Sequence, residues 1–305
     1  MIIHKLESQK NYELIDSGEE YKLERFGKYI ISRPDPNVIW KKRLSQEEWD
    51  KSDAVFSKEK TGISHWKNKN IKDDWVFSFE EIKMKLQLSP FKHTGLFPEQ
   101  ISNWQWMGKI LTNNSLLTTY DGDKEKNKKE DDKKPSILNL FGYTGGASLY
   151  CASKGAKITH VDASQPAINW AKENQKLSGL EKAPIRWILD DAIKFVRREV
   201  KRGIKYDGVI MDPPSFGRDQ KGKVFKFEKN IPELLDLVKN VLVEKPLFVL
   251  INSYSIGYSP TTIKNILGDI LPMEKIECGE LQILEKEGKR ALPCSVFART
   301  KEIKN

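Results

Sequence analysis

The sequence predicts an α/β fold: a mostly parallel sheet with helices on both faces, preceded by a small α+β domain. From residue 137 onward, short apolar runs alternate with helical patterns, and repeated βα units of this kind build a parallel sheet. Residues 1–75 lack this alternation and are rich in turn signals. We therefore divide the 305 residues into an N-terminal domain at 1–90 and a larger domain at 91–305.

Short elements are predicted in the N-terminal domain. Candidate strands lie at Tyr29–Ile31 and Val38–Trp40, with a proline-containing turn between them. Ser45 and Glu48 have the spacing of a capping box, which predicts the start of a helix. Alternating apolar and polar residues over Ile82–Leu88 predict a half-buried strand.

Seven strands are predicted in the larger domain, after a helix that runs through Trp104 and Met107. They lie at residues 137–141, 157–162, 185–189, 206–212, 247–251, 277–284 and 291–300. Helices are predicted at residues 147–153, 166–178, 192–202, 231–243 and 261–271. The last two strands form a hairpin, which makes the final strand antiparallel and places it at the edge of the sheet. Residues 121–134 hold six acidic and six basic residues and no apolar ones, which predicts a flexible loop.

The composition predicts a soluble cytoplasmic protein. Charged residues make up 31% of the chain, and the mean hydropathy is −0.58. No apolar run approaches a membrane span, and the first residues do not resemble a signal peptide. The three cysteines are odd in number and form no CxxC, which argues against a metal site or a disulfide framework. The net charge of +9 favours an acidic partner.

The stretch Ile137–Gly146 predicts a ligand site. A short apolar run changes abruptly into glycines and then into a helix start. Glycines let a backbone approach a ligand closely, and the first turn of a helix presents free N–H groups. In α/β sheets ligands bind at the carboxyl ends of strands. We therefore expect this stretch to hold a cofactor that contains a nucleoside.

Acidic residues end the second and third predicted strands. Asp162 is placed to accept hydrogen bonds from ribose hydroxyls, or else to cap the next helix. Of Asp190 and Asp191, one is expected to cap a helix while the other reaches an adenine amine. Acid-bearing ends on neighbouring strands, at one edge of the sheet, favour a nucleoside site.

The fourth strand ends in Asp212-Pro213-Pro214-Ser215-Phe216. The two prolines stiffen the backbone and remove two N–H donors. The carboxylate and nearby carbonyls then form a rigid edge of acceptors, which would orient an amine during its methylation. The other interpretation is a stiff strand-to-loop turn.

Together these motifs resemble class I S-adenosylmethionine-dependent methyltransferases, and more narrowly the group that contains bacterial 23S ribosomal RNA methyltransferases. In addition, His93–Gln100 resembles a Lys-Thr-Gly-aromatic-Phe-x-Asp-Gln element that helps to enclose the cofactor in that group. The resemblance covers residues 75–300 and implies a Rossmann-like, seven-stranded sheet. Residues 1–75 do not resemble the RNA-binding module often found in those enzymes.

The resemblance also implies roles for individual residues. Residues 141–146 would hold the methionine part of S-adenosylmethionine, Asp162 its ribose and Asp191 its adenine. The implied cofactor-binding residues are Thr94, Gly95, Phe97, Gln100, Asn139, Phe141, Gly142, Tyr143, Thr144, Gly145, Gly146, Asp162, Ala163, Asp191, Ala192 and Asp212. The implied catalytic residues are Asp212, Pro213, Pro214 and Ser215.

The cysteine positions distinguish between two chemistries. Some relatives methylate carbon 5 of cytosine through a covalent cysteine placed after strand four or five, but neither place holds a cysteine here. Cys151, Cys278 and Cys294 are instead predicted to be small core residues. We therefore expect direct methyl transfer to a base nitrogen, without a metal.

The loop after Pro214 mixes basic and aromatic residues, which suit phosphate contacts and base stacking. A solvated loop with packed phenylalanines is the alternative. We assign RNA, and ribosomal RNA first, as the partner, with substrate contacts from Phe216, Arg218, Lys221, Lys223 and Tyr254.

Three other functions were weighed against RNA methylation. A protein or small-molecule methyltransferase, and a non-catalytic nucleotide- or RNA-binding protein on the same fold, remain open. The glycine spacing at 142–146 does not make the GxGxxG fingerprint of dinucleotide oxidoreductases. The sequence leaves the oligomeric state open.

Overall fold

The main sheet of the computed structural model has eight strands. The structure describes residues 2–58, 64–120, 134–218, 224–254, 257–288 and 290–301. The described strands are β1 (Ile2–Leu6), β2 (Tyr12–Gly18), β3 (Tyr21–Phe26), β4 (Tyr29–Pro34), β5 (Ala54–Lys58), β6 (Ser64–Asn68), β7 (Trp75–Phe79), β8 (Ile82–Leu86), β9 (Ser136–Leu140), β10 (Lys157–Asp162), β11 (Ile185–Leu189), β12 (Gly208–Met211), β13 (Phe216–Arg218), β14 (Val224–Lys226), β15 (Phe248–Tyr254), β16 (Ile276–Leu284) and β17 (Ala291–Thr300). The described helices are α1 (Gln46–Asp50), α2 (Ile101–Tyr120), α3 (Gly146–Ser153), α4 (Gln165–Leu177), α5 (Ala192–Lys201), α6 (Phe227–Val241) and α7 (Pro260–Leu267).

The main sheet has the strand order β1-β16-β17-β15-β12-β9-β10-β11. All seven strands predicted for the larger domain are in it, and its neighbouring pairs are parallel except those of β17. The final strand is thus antiparallel, as predicted. Its expected place at the edge is wrong, because β17 inserts between β15 and β16 and bonds to both.

The edge is formed by an eighth strand that the sequence did not predict. Strand β1 pairs in parallel with β16, where Ile2 lies opposite Gly279. Only five residues long and half charged or polar, β1 has no clear pattern of its own, and its partner lies far away along the chain. The start of the chain therefore belongs to the main sheet.

Residues 12–86 form a second, smaller unit that is mainly β. A five-stranded sheet has the order β2-β3-β4-β5-β6, and β7 pairs with β8, which lies within the strand predicted at Ile82–Leu88. Helix α1 begins at the predicted capping box, in which both hydrogen bonds are present. The predicted strand at Val38–Trp40 is wrong: this segment bonds to the β2–β3 turn through Glu20 N–H and Val38 O, 2.6 Å apart.

The two faces of the main sheet carry two buried clusters, because successive side chains of a strand point to opposite faces. On β9, Ile137 joins the cluster that contains α2 and α3, whereas Leu138 and Leu140 join the cluster that contains α5, α6 and α7. Both faces are therefore covered, as a parallel sheet requires.

The strand order reverses at β9. The chain passes outward from β9 to β10 and β11, then returns to place β12 on the other side of β9. Crevices at such reversal points are the usual ligand sites of α/β sheets. Within the described residues, no helix combines the length and the apolar character needed to cross a membrane.

Candidate active site

The glycine-rich loop between β9 and α3 is held in a strained conformation. Phe141 and Tyr143 both adopt left-handed backbone angles, with φ of 59° and 52°. Such angles cost energy in residues other than glycine and persist only where the surroundings enforce them. Here Tyr143 N–H donates to Asp162 Oδ2 at 2.8 Å, and Asn174 Nδ2 donates to the Thr144 carbonyl at 2.9 Å. The loop shape is therefore imposed by β10 and α4.

Gly142 packs directly on a buried histidine. A Cβ at this position would lie 2.3 Å from His160 Cε1. His160 Nδ1 lies 2.9 Å from Ser148 Oγ, which also accepts a hydrogen bond from Asn139 Nδ2 at 2.8 Å. Burial lowers the pKa of His160 to about 3, so the imidazole is neutral. This hydrogen-bond network fixes the side chains on which the glycine-rich loop packs.

Residues 93–100 lie across the glycine-rich loop. Thr144 Oγ1 donates to the Gly95 carbonyl at 2.7 Å. Gly95 has φ of 99° and faces the Trp170 ring, 2.3 Å from where a Cβ would lie, so only glycine suits this position. The Phe97 ring lies 5.7 Å from the Tyr143 ring. The segment that was expected to help enclose the cofactor is thus bound to the glycine-rich loop.

Three carboxylates follow β10 and β11. Asp162 binds the N–H groups of Tyr143 and Ser164, while burial raises its pKa. The cap of α4 is Ser164, and Asp191 caps α5 by accepting from Lys194 N–H at 2.9 Å. Asp190 pairs with Arg198. Asp162 therefore holds the loop rather than capping α4.

Asp212 is half-buried and follows the last residue of β12. Asn252 Nδ2, on β15, donates to Asp212 Oδ1 at 2.8 Å. Burial raises the pKa of Asp212, and the hydrogen bond from Asn252 opposes this. The carboxylate is thereby held in one orientation at the point where the strand order reverses.

Two clefts of about 450 and 530 Å³ meet at Asp212. The first runs past the carboxyl ends of β10 and β11, and the second lies beneath residues 93–100. They form one continuous cleft along the sheet edge, because they share four lining residues: Phe141, Tyr143, Asp212 and Pro214. Ligand sites commonly have this size.

The chain resembles known methyltransferases in both sequence and structure. A family model described as S-adenosylmethionine-dependent methyltransferase matches residues 112–263. A crystal structure of the S-adenosylmethionine-dependent methyltransferase from Agrobacterium tumefaciens superposes with a TM-score of 0.86 at 35% identity, and the match covers 99% of this chain and 93% of that one. This chain belongs to the family of S-adenosylmethionine-dependent methyltransferases.

Curated relatives in the family include proteins named for ribosomal RNA. The ribosomal RNA large subunit methyltransferase K/L of Shewanella frigidimarina is 34% identical over 140 residues, which are 46% of this chain and 16% of that protein. The ribosomal RNA large subunit methyltransferase I of Aeromonas salmonicida is 29% identical over 164 residues, which are 53% of this chain and 36% of that protein. The methyltransferase described here thus spans only part of the length of these relatives.

The cleft of this methyltransferase fits S-adenosylmethionine. Its first part combines carboxylates, which suit ribose hydroxyls and an adenine amine, with apolar surface from Phe141, Pro166 and Phe225. In the second part, Asn252 Oδ1 and Ser295 Oγ are buried without a hydrogen-bond partner among the described residues. Buried polar atoms of this kind call for a polar ligand.

Most residues predicted for the site line this cleft. Eight of them line only the second part: Gly95, Phe97, Gln100, Asn139, Gly142, Thr144, Gly146 and Tyr254. Pro213 and Ser215 also lie there, beside Asp212. Ala163, Asp162, Asp191 and Ala192 line the first part.

The remaining predicted residues lie elsewhere. Thr94 is fully buried, and Gly145 faces Ala171 on α4. Lys221 and Lys223 fall outside the described residues. Phe216 and Arg218 are described by their backbone alone, as part of the β13–β14 hairpin.

Sequence reasoning missed several residues of the cleft. Glu99 and His93 lie in segment 93–100, which carries part of the resemblance, and Asn252 lies after the fifth predicted strand, where a catalytic cysteine could have been. None of the three was predicted to be a site residue, although all three line the cleft. Lys92 and Ser295 also line the cleft, without any sequence signal. Among the described residues, no group of three or more His, Cys, Asp or Glu side chains is arranged to hold a metal ion.

Substituting Asp162 with alanine is expected to weaken S-adenosylmethionine binding about 100-fold. The variant removes the acceptor at the first part of the cleft and releases Tyr143 N–H, so the ribose contact and the loop conformation are both lost. Calorimetry should show micromolar binding of S-adenosylmethionine to the natural protein, and none of NAD. The exposed Asp236→Asn variant on α6 is the control. Undiminished binding by Asp162→Ala, or NAD binding by the natural protein, would contradict the assignment.

Proposed function

We propose that this protein transfers a methyl group directly from S-adenosylmethionine to a base nitrogen of RNA, with ribosomal RNA as the first candidate. The observation that carries the proposal is the half-buried Asp212 carboxylate, oriented by Asn252 where the two parts of the cleft meet. An amine nitrogen that gains positive charge is stabilised by such a fixed acceptor. The names of the curated relatives support RNA as the substrate class.

When bound, S-adenosylmethionine would supply a methyl group on a positively charged sulfur, which keeps the electron pair of the broken carbon–sulfur bond. The chain's part is to bring the acceptor nitrogen to that methyl group in line and to exclude water. Pro213 and Pro214 keep the backbone beside Asp212 free of N–H donors that would compete for the acceptor.

The β13–β14 hairpin stands beside this site and supports RNA as the substrate. Gly217 and Phe225 line the first part of the cleft, and the hairpin joins Asp212 to α6. The Phe225 ring lies 5.2 Å from the Phe141 ring at the cleft, and the next residue of the hairpin, Lys226, is an exposed base suited to a phosphate contact. We propose that the smaller unit at residues 12–86, within the predicted N-terminal domain 1–90, acts on the substrate side, and that the protein works in the cytoplasm.

Methyl transfer is expected to need no cysteine. Cys151 and Cys294 are buried, and burial raises the pKa of both thiols, that of Cys151 to about 12, so neither forms the thiolate of a nucleophile. Replacing Cys151, Cys278 and Cys294 together by serine or alanine should leave kcat within about twofold. Melting temperature is the control for folding. A folded but inactive triple variant would overturn direct transfer.

The proposed function is tested in a deletion strain and in vitro. Mass spectrometry of ribosomal RNA from the strain should show one methylated base missing, and the purified protein should restore it with S-adenosylmethionine. In the same assay, protein extracts and small-molecule extracts are offered to the purified protein as alternative methyl acceptors. Methylation confined to those extracts would replace RNA with another acceptor class, and binding of the cofactor without transfer to any of them would indicate a binding protein.

A further inference from the structure

Glu99 is a buried carboxyl group that the proposed function has not yet used. It belongs to a helical turn at residues 98–100 and is only 5% exposed. It lines the second part of the cleft together with Asp212, and on its other side it borders a small polar cavity that also contains Lys22 and Arg33. Glu99 is thus the carboxyl group between the acceptor site and the N-terminal domain.

The pairing of Glu99 differs from that of the other buried glutamates. Four buried glutamates have side-chain partners: Glu13 with Arg25, Glu24 with Arg33, Glu199 with Arg202 and Glu285 with Ser17. The Glu99 carboxyl group has no ion pair or hydrogen bond to another side chain among the described residues, and it accepts a hydrogen bond from its own backbone N–H. A buried carboxyl group without a cationic partner is costly to ionise, which favours a ligand as its further partner.

The neighbouring Glu24 shows why Glu99 stays unpaired. Arg33 binds Glu24 through two nitrogens, at 2.8 and 2.9 Å, and Lys22 is shared between Glu24 and Asp35. The nearby cations are thereby committed to other carboxylates. Glu99 faces their positive charge without forming an ion pair with them, and it lines the second part of the cleft.

We propose that Glu99 is the base that removes the proton from the acceptor nitrogen. This inference rests on the proposed function. The nitrogen's lone pair forms the bond to the methyl carbon, and the nitrogen then carries both a hydrogen and a positive charge. Its N–H bond breaks, the electron pair stays on nitrogen, and a Glu99 oxygen takes the proton to become a neutral carboxylic acid. Asp212 orients the acceptor, and Glu99 completes the reaction.

The electrostatics of the site suit this role. Burial raises the pKa of Glu99 to about 7, and although Lys22 opposes the rise, Asp212 adds to it. General bases work best with a pKa near the working pH. The titratable or charged groups around Glu99 are Lys22, Glu24, Arg33, Asp35, Lys92, His93, Asp212, Tyr254 and Cys294.

Glu99→Gln tests the proposal, with Glu99→Asp as the conservative variant and the exposed Glu47→Gln as control. We expect kcat to fall about 100-fold in Glu99→Gln, the size typical of a general base. In the natural protein kcat should rise with pH through about 7, since the base must be ionised. That rise should be absent in Glu99→Gln and present in Glu99→Asp. The Kd of S-adenosylmethionine should be unchanged in all variants.

Thermal unfolding provides a readout that does not depend on activity. The native pKa of Glu99 is raised above its unfolded value, so the natural protein loses stability as pH rises from the unfolded pKa through about 7. Glutamine does not titrate. The difference obtained by subtracting the Tm of the natural protein from the Tm of Glu99→Gln should therefore be a few degrees larger at pH 8 than at pH 5.

The outcomes separate the two proposals. Full activity of Glu99→Gln, an unchanged pH profile, or a Tm difference independent of pH would overturn the role of Glu99 alone. Weakened cofactor binding by Glu99→Gln would assign Glu99 to the cofactor and also overturn it. A natural protein that binds S-adenosylmethionine but methylates no RNA would overturn the proposed function, and the role of Glu99 with it.

Discussion

Asp212→Asn is expected to reduce kcat about 1,000-fold while S-adenosylmethionine still binds with nearly its natural Kd. The amide occupies the same volume and can still accept the hydrogen bond from Asn252 Nδ2. It lacks the negative charge that stabilises the nitrogen as positive charge develops, and loss of one fixed electrostatic partner typically costs 100- to 1,000-fold. Single-turnover transfer and calorimetry measure the two quantities separately.

The stability of Asp212→Asn distinguishes lost chemistry from lost structure. Burial raises the pKa of Asp212 in the native state, so its ionised form makes the native protein less stable as pH rises above the unfolded pKa. A neutral amide removes that cost, and the Tm at pH 7 should be equal to or above that of the natural protein. The exposed Asp236→Asn variant should change neither kcat nor Tm. An active Asp212→Asn enzyme would show that the carboxylate has no role in transfer.

Gly142→Ala is expected to weaken S-adenosylmethionine binding by on the order of 100-fold. The new Cβ would lie 2.3 Å from His160 Cε1, far inside van der Waals contact. The imidazole cannot yield, because Ser148 holds one side of it and the Trp187 ring packs at 4.7 Å on another. The loop must therefore move, and a displacement near 1 Å is enough for an effect of this size. The expected loss of stability is about 1–3 kcal/mol.

Two variants control for this result. Gly179→Ala places alanine at a glycine with a left-handed φ of 67°, but nothing lies within 4 Å of the new Cβ, so it should lose about 1 kcal/mol of stability without weakening binding. Adding His160→Ala to Gly142→Ala makes room for the Cβ and should recover part of the affinity. If the double variant binds no better than Gly142→Ala, the clash with His160 is not the cause.

The elements that the sequence predicted well are those determined by local pattern. The change from Leu140 to Gly142, and the acids Asp162 and Asp191 after their strands, follow from the period of a strand and the chemistry of a helix start. Each of these features needs only a few consecutive residues. The strands of the larger domain were recognisable for the same reason.

Apart from the strand wrongly predicted at Val38–Trp40, the errors concern pairing between distant segments. The order of β16 and β17, and the addition of β1 beside β16, depend on which edges meet after the chain has folded. Five residues such as Ile2–Leu6 do not specify a partner more than 270 positions away. The neighbouring strand in the sheet is determined by hydrogen bonding along the whole strand, and the residue types of one strand do not specify it.

The sequence by itself determined the family and the cofactor class, and it predicted the residues of the site: a glycine-rich turn, the acidic ends of the second and third strands and Asp212-Pro213-Pro214 are local signals. The tertiary structure decided which of these residues meet. It brought Asn252 to Asp212, placed Glu99 in the same cleft without an ion pair, and paired Arg33 with Glu24 instead. Burial and distance set the charge state of a carboxyl group, and both arise only when segments far apart in the chain pack together.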